Sequence, residues 1–104
     1  MKILLASIIL SIFLPVAALA QDHLITQKDL KFSVPIKVVK PGDRIVFSNE
    51  DSVIHNITSI TDWFKFDLGA LKPGMKKSVE FSDKGVIDVD CTIHPGMRLT
   101  VFVF

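Results

Sequence analysis

The chain has 104 residues, 49% of them hydrophobic, and one cysteine, which is enough for one domain and excludes a disulfide framework within the chain. With 12 Lys/Arg against 11 Asp/Glu the formal net charge is +1, which gives no electrostatic reason to expect nucleic acid or an anionic membrane as partner. Removing residues 1–20 takes away one lysine and no acid, so the remainder is formally neutral.

Lys2 is followed by the uncharged run Ile3 to Ala20, ILLASIILSIFLPVAALA. A charged start, an apolar middle and the small residues of Ala18-Leu19-Ala20 are the three regions of a secretory signal peptide. About 18 apolar residues is also the lower limit for crossing a bilayer. Pro15 and the A-x-A ending decide for cleavage over an anchor. The expected organisation is therefore a signal peptide at 1–20 and one exported domain at 21–104, periplasmic or otherwise secreted and with no stable membrane insertion. An unpaired thiol in an oxidising compartment is a liability unless it is buried, reactive by design or bound to metal. Cys91 is thus the first residue to ask about.

Beyond Asp22 the pattern is short Val-, Ile-, Phe- and Thr-rich stretches separated by turn residues, with no sustained 3.6-residue period. It predicts an all-β sandwich or barrel. Strands are expected at Leu30–Val34, Ile36–Val39, Arg44–Asn49, His55–Ile60, Lys76–Phe81, Gly85–Cys91 and Leu99–Phe104. Pro41-Gly42, Pro73-Gly74 and Asp83-Lys84-Gly85 mark turns, because Pro presets one backbone angle and Gly accepts positive φ. The stretch Thr61 to Leu71 reads as irregular, with a weak strand at Phe64–Phe66. Alternate strand residues face opposite sides. Ile87, Val89 and Cys91 then share the buried face, and Val53, His55 and Ile57 share a parity that turns His55 inward.

Around the cysteine stands Cys91-Thr92-Ile93-His94-Pro95-Gly96-Met97, and well upstream His55-Asn56. One thiolate, two imidazoles and one thioether form the ligand set of a blue-copper electron-transfer centre, with His₂Cys in a plane and Met as a weak axial donor. A tight loop can aim Cys91, His94 and Met97 at one point, while His55 arrives from another strand. Singly, each residue has a plainer reading: Cys91 and Met97 as core packing, His55 as a satisfied core histidine, His94 as a loop residue. All four together fall at the spacing that a copper centre requires. A c-type haem needs a second cysteine, and zinc has no use for the Met97 thioether.

The segment CTIHPGM, followed by the strand LTVFVF, resembles the ligand loop of the cupredoxins, most closely their amicyanin- and plastocyanin-like members. The stretch VVKPGDRIVFSNEDSVIHNI is similar to the same family's pattern ending in His-Asn. The resemblance implies a Greek-key β-sandwich with one type I copper ion at one end, held by His55, Cys91, His94 and Met97. It also implies that Asn56 steadies the surrounding loops and that the loop histidine serves as the electron port. The expected function is one-electron shuttling between redox protein partners, a donor and an acceptor. Copper delivery in the same compartment is the alternative. No paired carboxylates, Ser-His arrangement or phosphate loop points to an enzyme.

Overall fold

The computed structural model describes residue 11 and residues 19–104, and the expected signal peptide falls almost wholly outside them. Nine strands form among the described residues: β1 (Asp22–Lys28), β2 (Lys31–Phe32), β3 (Ile36–Val39), β4 (Asp43–Asn49), β5 (His55–Ser59), β6 (Phe66–Leu71), β7 (Lys76–Phe81), β8 (Gly85–Asp90) and β9 (Arg98–Val103). They make two sheets, ordered β2-β1-β4-β7 and β3-β9-β8-β5-β6. The expected all-β sandwich is what the chain builds. No helix among the described residues is long and apolar enough to cross a membrane.

Alternation dictates the layers. In β4, Ile45 and Phe47 are wholly buried between the sheets, as are Ile87 and Val89 of β8 and Val101 of β9. Each such side chain contributes about 1.5–3 kcal/mol by leaving water. Phe64 stacks on Phe81 with ring centroids 5.5 Å apart, and Phe32 meets Phe47 edge-on at 6.2 Å. These aromatics pack the core of a chain that has no disulfide.

Three stretches depart from the sequence expectation. The first strand, β1, carries Leu24 outward and Gln27 inward, so its alternation does not read as apolar-in, and the sequence pattern does not reveal it. Leu30, expected in a strand, instead sits with Asp29 in the tight turn between β1 and β2, both at positive φ (52° and 58°). Such a two-residue turn has the twist that an antiparallel hairpin needs. The third stretch is β6, which runs from Phe66 to Leu71 in place of the weak strand at Phe64–Phe66. Its pairing with β5 shifts register between Asn56 and Thr58, and that irregularity hides the period of two.

Two strands pair in parallel with distant partners: β1 with β4, from Asp22 opposite Arg44, and β3 with β9, from Ile36 opposite Thr100. β5 meets β8 at Thr58 opposite Asp90 and Ser59 opposite Val89. That pairing brings the start of β5 beside the end of β8, where the two halves of the candidate site lie.

Candidate metal centre

Cys91 directly follows β8, continuing the parity of Ile87 and Val89 into the core, and is buried. The chain then turns back through residues 91–97. His94-Pro95-Gly96-Met97 is a β-turn closed by the Met97 N–H on the His94 carbonyl at 3.2 Å. Pro95 presets the first corner, and Gly96 takes φ 94°, which a side-chain-bearing residue adopts at a cost. The same construction closes Lys40-Pro41-Gly42-Asp43 and Lys72-Pro73-Gly74-Met75. Cys91 N–H donates to the Met97 carbonyl at 3.2 Å, so the two ends of the loop face each other. Met97 is buried with the parity of Leu99 and Val101, as the sequence implied.

His55 opens β5 and is wholly buried. The inward direction is as expected, but Val53 does not share it. That residue lies in the loop before β5 and is 41% exposed, so strand parity did not extend back to it. Side chains hold His55 instead. Its Nε2 lies 2.8 Å from an Asp51 carboxylate oxygen. A carboxylate only accepts, so the ring carries its proton on Nε2 and turns the Nδ1 lone pair toward the site. Asp51 is fixed in turn by the Asp29 and Leu30 amides, each donating at 3.0 Å from the β1–β2 turn. These bonds, with the His55 contact, hold the Asp51 carboxyl down to about 2. Buried Asn49 completes the frame, donating to the Val53 and Leu71 carbonyls at 2.8 and 2.7 Å and accepting the Asp51 N–H at 2.9 Å.

The donor atoms converge. His55 Nδ1 and His94 Nδ1 are 3.0 Å apart, and Cys91 Sγ lies 3.8 and 3.6 Å from them. An ion bound in a trigonal plane, with bonds of about 2.0 Å to nitrogen and about 2.3 Å to sulfur, would separate its donors by about 3.5 Å and about 3.7 Å. The triangle therefore fits one ion. Asn56 joins the two halves: its backbone N–H points at Cys91 Sγ at 3.5 Å, its Oδ1 accepts the Thr92 N–H at 2.7 Å, and its Nδ2 donates to the Thr92 hydroxyl. An N–H on a thiolate withdraws some of its charge and restrains it in place. Of the residues around the site, sequence reasoning assigns Asn56 a role and leaves Asn49 and Asp51, which lie in the same motif stretch, without one. An Asp four positions before the inward histidine was the available signal.

A sandwich that gathers two imidazoles, one thiolate and a buried methionine at one end defines the class of small blue-copper proteins, the cupredoxins. A family model described as copper binding proteins, plastocyanin/azurin family, matches residues 20–104, and the chain belongs to that family, whose cofactor is copper. Amicyanin from Paracoccus denitrificans is 35% identical over 79 residues, covering 71% of this chain. The chain spans 59% of that relative's length. Among solved structures, a purple cupredoxin from Nitrosopumilus maritimus superposes with a TM-score of 0.71 at 26% identity, over 80% of this chain and 100% of the other. An oxidised amicyanin variant gives 0.75 at 26% identity, over 80% and 82%. A copper-containing nitrite reductase from Thermus scotoductus shares the fold with a TM-score of 0.74 at 20% identity, over 80% of this chain and 22% of the other. The sandwich by itself thus does not separate carrier from enzyme.

Proposed function

We propose that this protein is an exported electron carrier whose single copper ion is held by His55, Cys91, His94 and Met97. The observation that carries the reading is the triangle of His55 Nδ1, His94 Nδ1 and Cys91 Sγ, all within 4.8 Å of one another and closed over by the fold. Bound there, copper supplies a one-electron Cu(II)/Cu(I) couple, for which a mixed thiolate, imidazole and thioether set suits both states.

The residues divide the labour. Asp51 keeps His55 in one tautomer and one orientation, so little needs to move when charge at the site changes. Asn56 restrains the thiolate. Met97, buried beneath the loop, is the soft axial donor. His94 is half-buried, and its neighbours Ile93, Pro95 and Gly96 are exposed, Ile93 to 53%. Its ring is therefore the route by which electrons reach a partner. A small apolar rim on a domain without strong net charge suits brief, weak docking. Donor and acceptor are redox proteins of the same compartment, reached after cleavage behind Ala20.

The test is a visible spectrum. One Cu(II) per chain should give an intense blue thiolate-to-copper band, and Cys91→Ser should abolish it. A colourless wild-type complex, or a blue Cys91→Ser variant, would overturn the assignment. Fast reversible cycling without loss of copper separates a carrier from a delivery protein, which would surrender its metal to a competing protein instead.

A further inference from the structure

A second set of nitrogen donors lies at the start of β1, apart from the blue-copper residues. Leu19 and Ala20 are exposed and outside any strand. Cleavage after Ala20 belongs to the proposed export of the protein, and the second site depends on it. It makes Gln21-Asp22-His23 the first three residues. A free amine with histidine in third place is a chelate. The α-amine, the amide nitrogens of Asp22 and His23 and the His23 Nδ1 can ring one ion in a plane. Square-planar nitrogen coordination is the geometry of Cu(II) and Ni(II).

The structure has already gathered the two ends of that chelate. Gln21 N donates to Asp43 Oδ1 at 2.9 Å, and His23 Nε2 lies 3.0 Å from Asp43 Oδ2. One nearly inaccessible carboxylate thus draws the Gln21 backbone nitrogen, which cleavage would turn into the amine, and the imidazole to the same spot. Asp43 also accepts the Lys40 N–H at 2.9 Å, which anchors it to the turn before β4. With its proton on Nε2 and directed at Asp43, the His23 ring offers the Nδ1 lone pair, the carboxylate–histidine–metal arrangement that makes imidazole a better donor. Asp22 is no obstacle, because its side chain pairs outward with Arg44 at 2.9 Å.

We propose that removal of residues 1–20 creates a second metal site at Gln21-Asp22-His23, a planar four-nitrogen chelate for Cu(II) backed by Asp43. On binding, the α-ammonium and the two amides each release one proton to solvent, and the copper stays Cu(II), so no oxidant or reductant is needed. Gln21 N leaves Asp43, and the first two positions of the β1–β4 register, Asp22 opposite Arg44 and His23 opposite Ile45, open. Pairing from Leu24 opposite Val46 onward remains. Two amide anions and two neutral nitrogens favour Cu(II) strongly over Cu(I). This site holds copper where the blue centre cycles it.

The experiment uses the exported protein already carrying one copper in its blue centre. Intact mass and N-terminal sequencing should show a free Gln21 amine. Titration with Cu(II) should fill one further site per chain, read as a new electron paramagnetic resonance signal split by four nitrogens, with the blue band unchanged. His23→Ala should remove the second equivalent alone. A chain beginning at Ala20 keeps every side chain but moves histidine to fourth place, and it should lose the site too. A start elsewhere would overturn both the cleavage and the site. A free Gln21 amine with only one copper bound, an amine lost by cyclisation with release of ammonia, or a second equivalent retained by either variant would overturn the site and leave the cleavage standing.

Discussion

The segment from Asn49 to His55 and the loop from Cys91 to Met97 supply the two halves of the proposed copper centre, and they are held by different means. The first is a side-chain lattice: Asn49 and Asp51 between them bond to the β1–β2 turn, to β6 and to the buried His55 ring. The second is held mainly by backbone, through a Pro-Gly turn and the contacts Cys91 N–H to Met97 O at 3.2 Å and His94 N–H to Cys91 O at 3.4 Å, with the Asn56 side chain tying Thr92 to β5. One half therefore sets where the site is. The other half decides what it does, and its residues can change without disturbing the frame.

The largest effect is expected at Asn49. Asn49→Ala leaves the buried Leu71 carbonyl and the part-buried Val53 carbonyl and Asp51 N–H without their partner, and should destabilise the metal-free protein by about 3 kcal/mol in urea unfolding. An unchanged midpoint would mean that the lattice is not what holds this half. Asp51→Asn is milder, since the amide oxygen still accepts from His55 without its charge. Copper affinity should drop about tenfold in a chelator competition, with the blue band kept.

Changes in the loop should leave stability and affinity comparatively untouched while moving function. Met97→Leu should retain the colour and raise the reduction potential in voltammetry, because the soft axial donor is gone while the cavity stays apolar. If the potential stays put, Met97 is packing only. The smallest structural effect belongs to Ile93→Lys, an exposed site where stability should shift by less than about 0.5 kcal/mol. Electron self-exchange should nonetheless slow, the absorption spectrum being unaltered. Wild-type exchange in that variant would move the electron port away from His94.

How far the sequence disclosed this depends on how each half is built. Cys91, His94 and Met97 sit within seven residues around Pro95-Gly96, and local turn chemistry alone brings them together. His55 was legible by its inward parity with Ile57, though the same parity misjudged Val53. The roles of Asn49 and Asp51 were not legible, although both lie in the motif stretch, because a polar residue at a strand end or in a loop looks solvated until the strand that covers it is known. Here the cover is the β1–β2 hairpin, and β1 itself escaped notice because Gln27 faces inward and Leu24 outward.

The parallel pairing of β3 with β9 joins residues far apart in the chain, Ile36 to Thr100 and Val39 to Val103. Contacts so distant in sequence form slowly, because a long loop must be closed before they reward it. Cys91, His94 and Met97 are neighbours from the moment of synthesis, whereas His55 reaches them only once β5 has found β8. A copper ion that met the chain before that pairing would encounter the sulfur-rich half of the proposed site first. Metal loading would then compete with folding, and the last ligand to arrive would be the one that the rigid frame delivers.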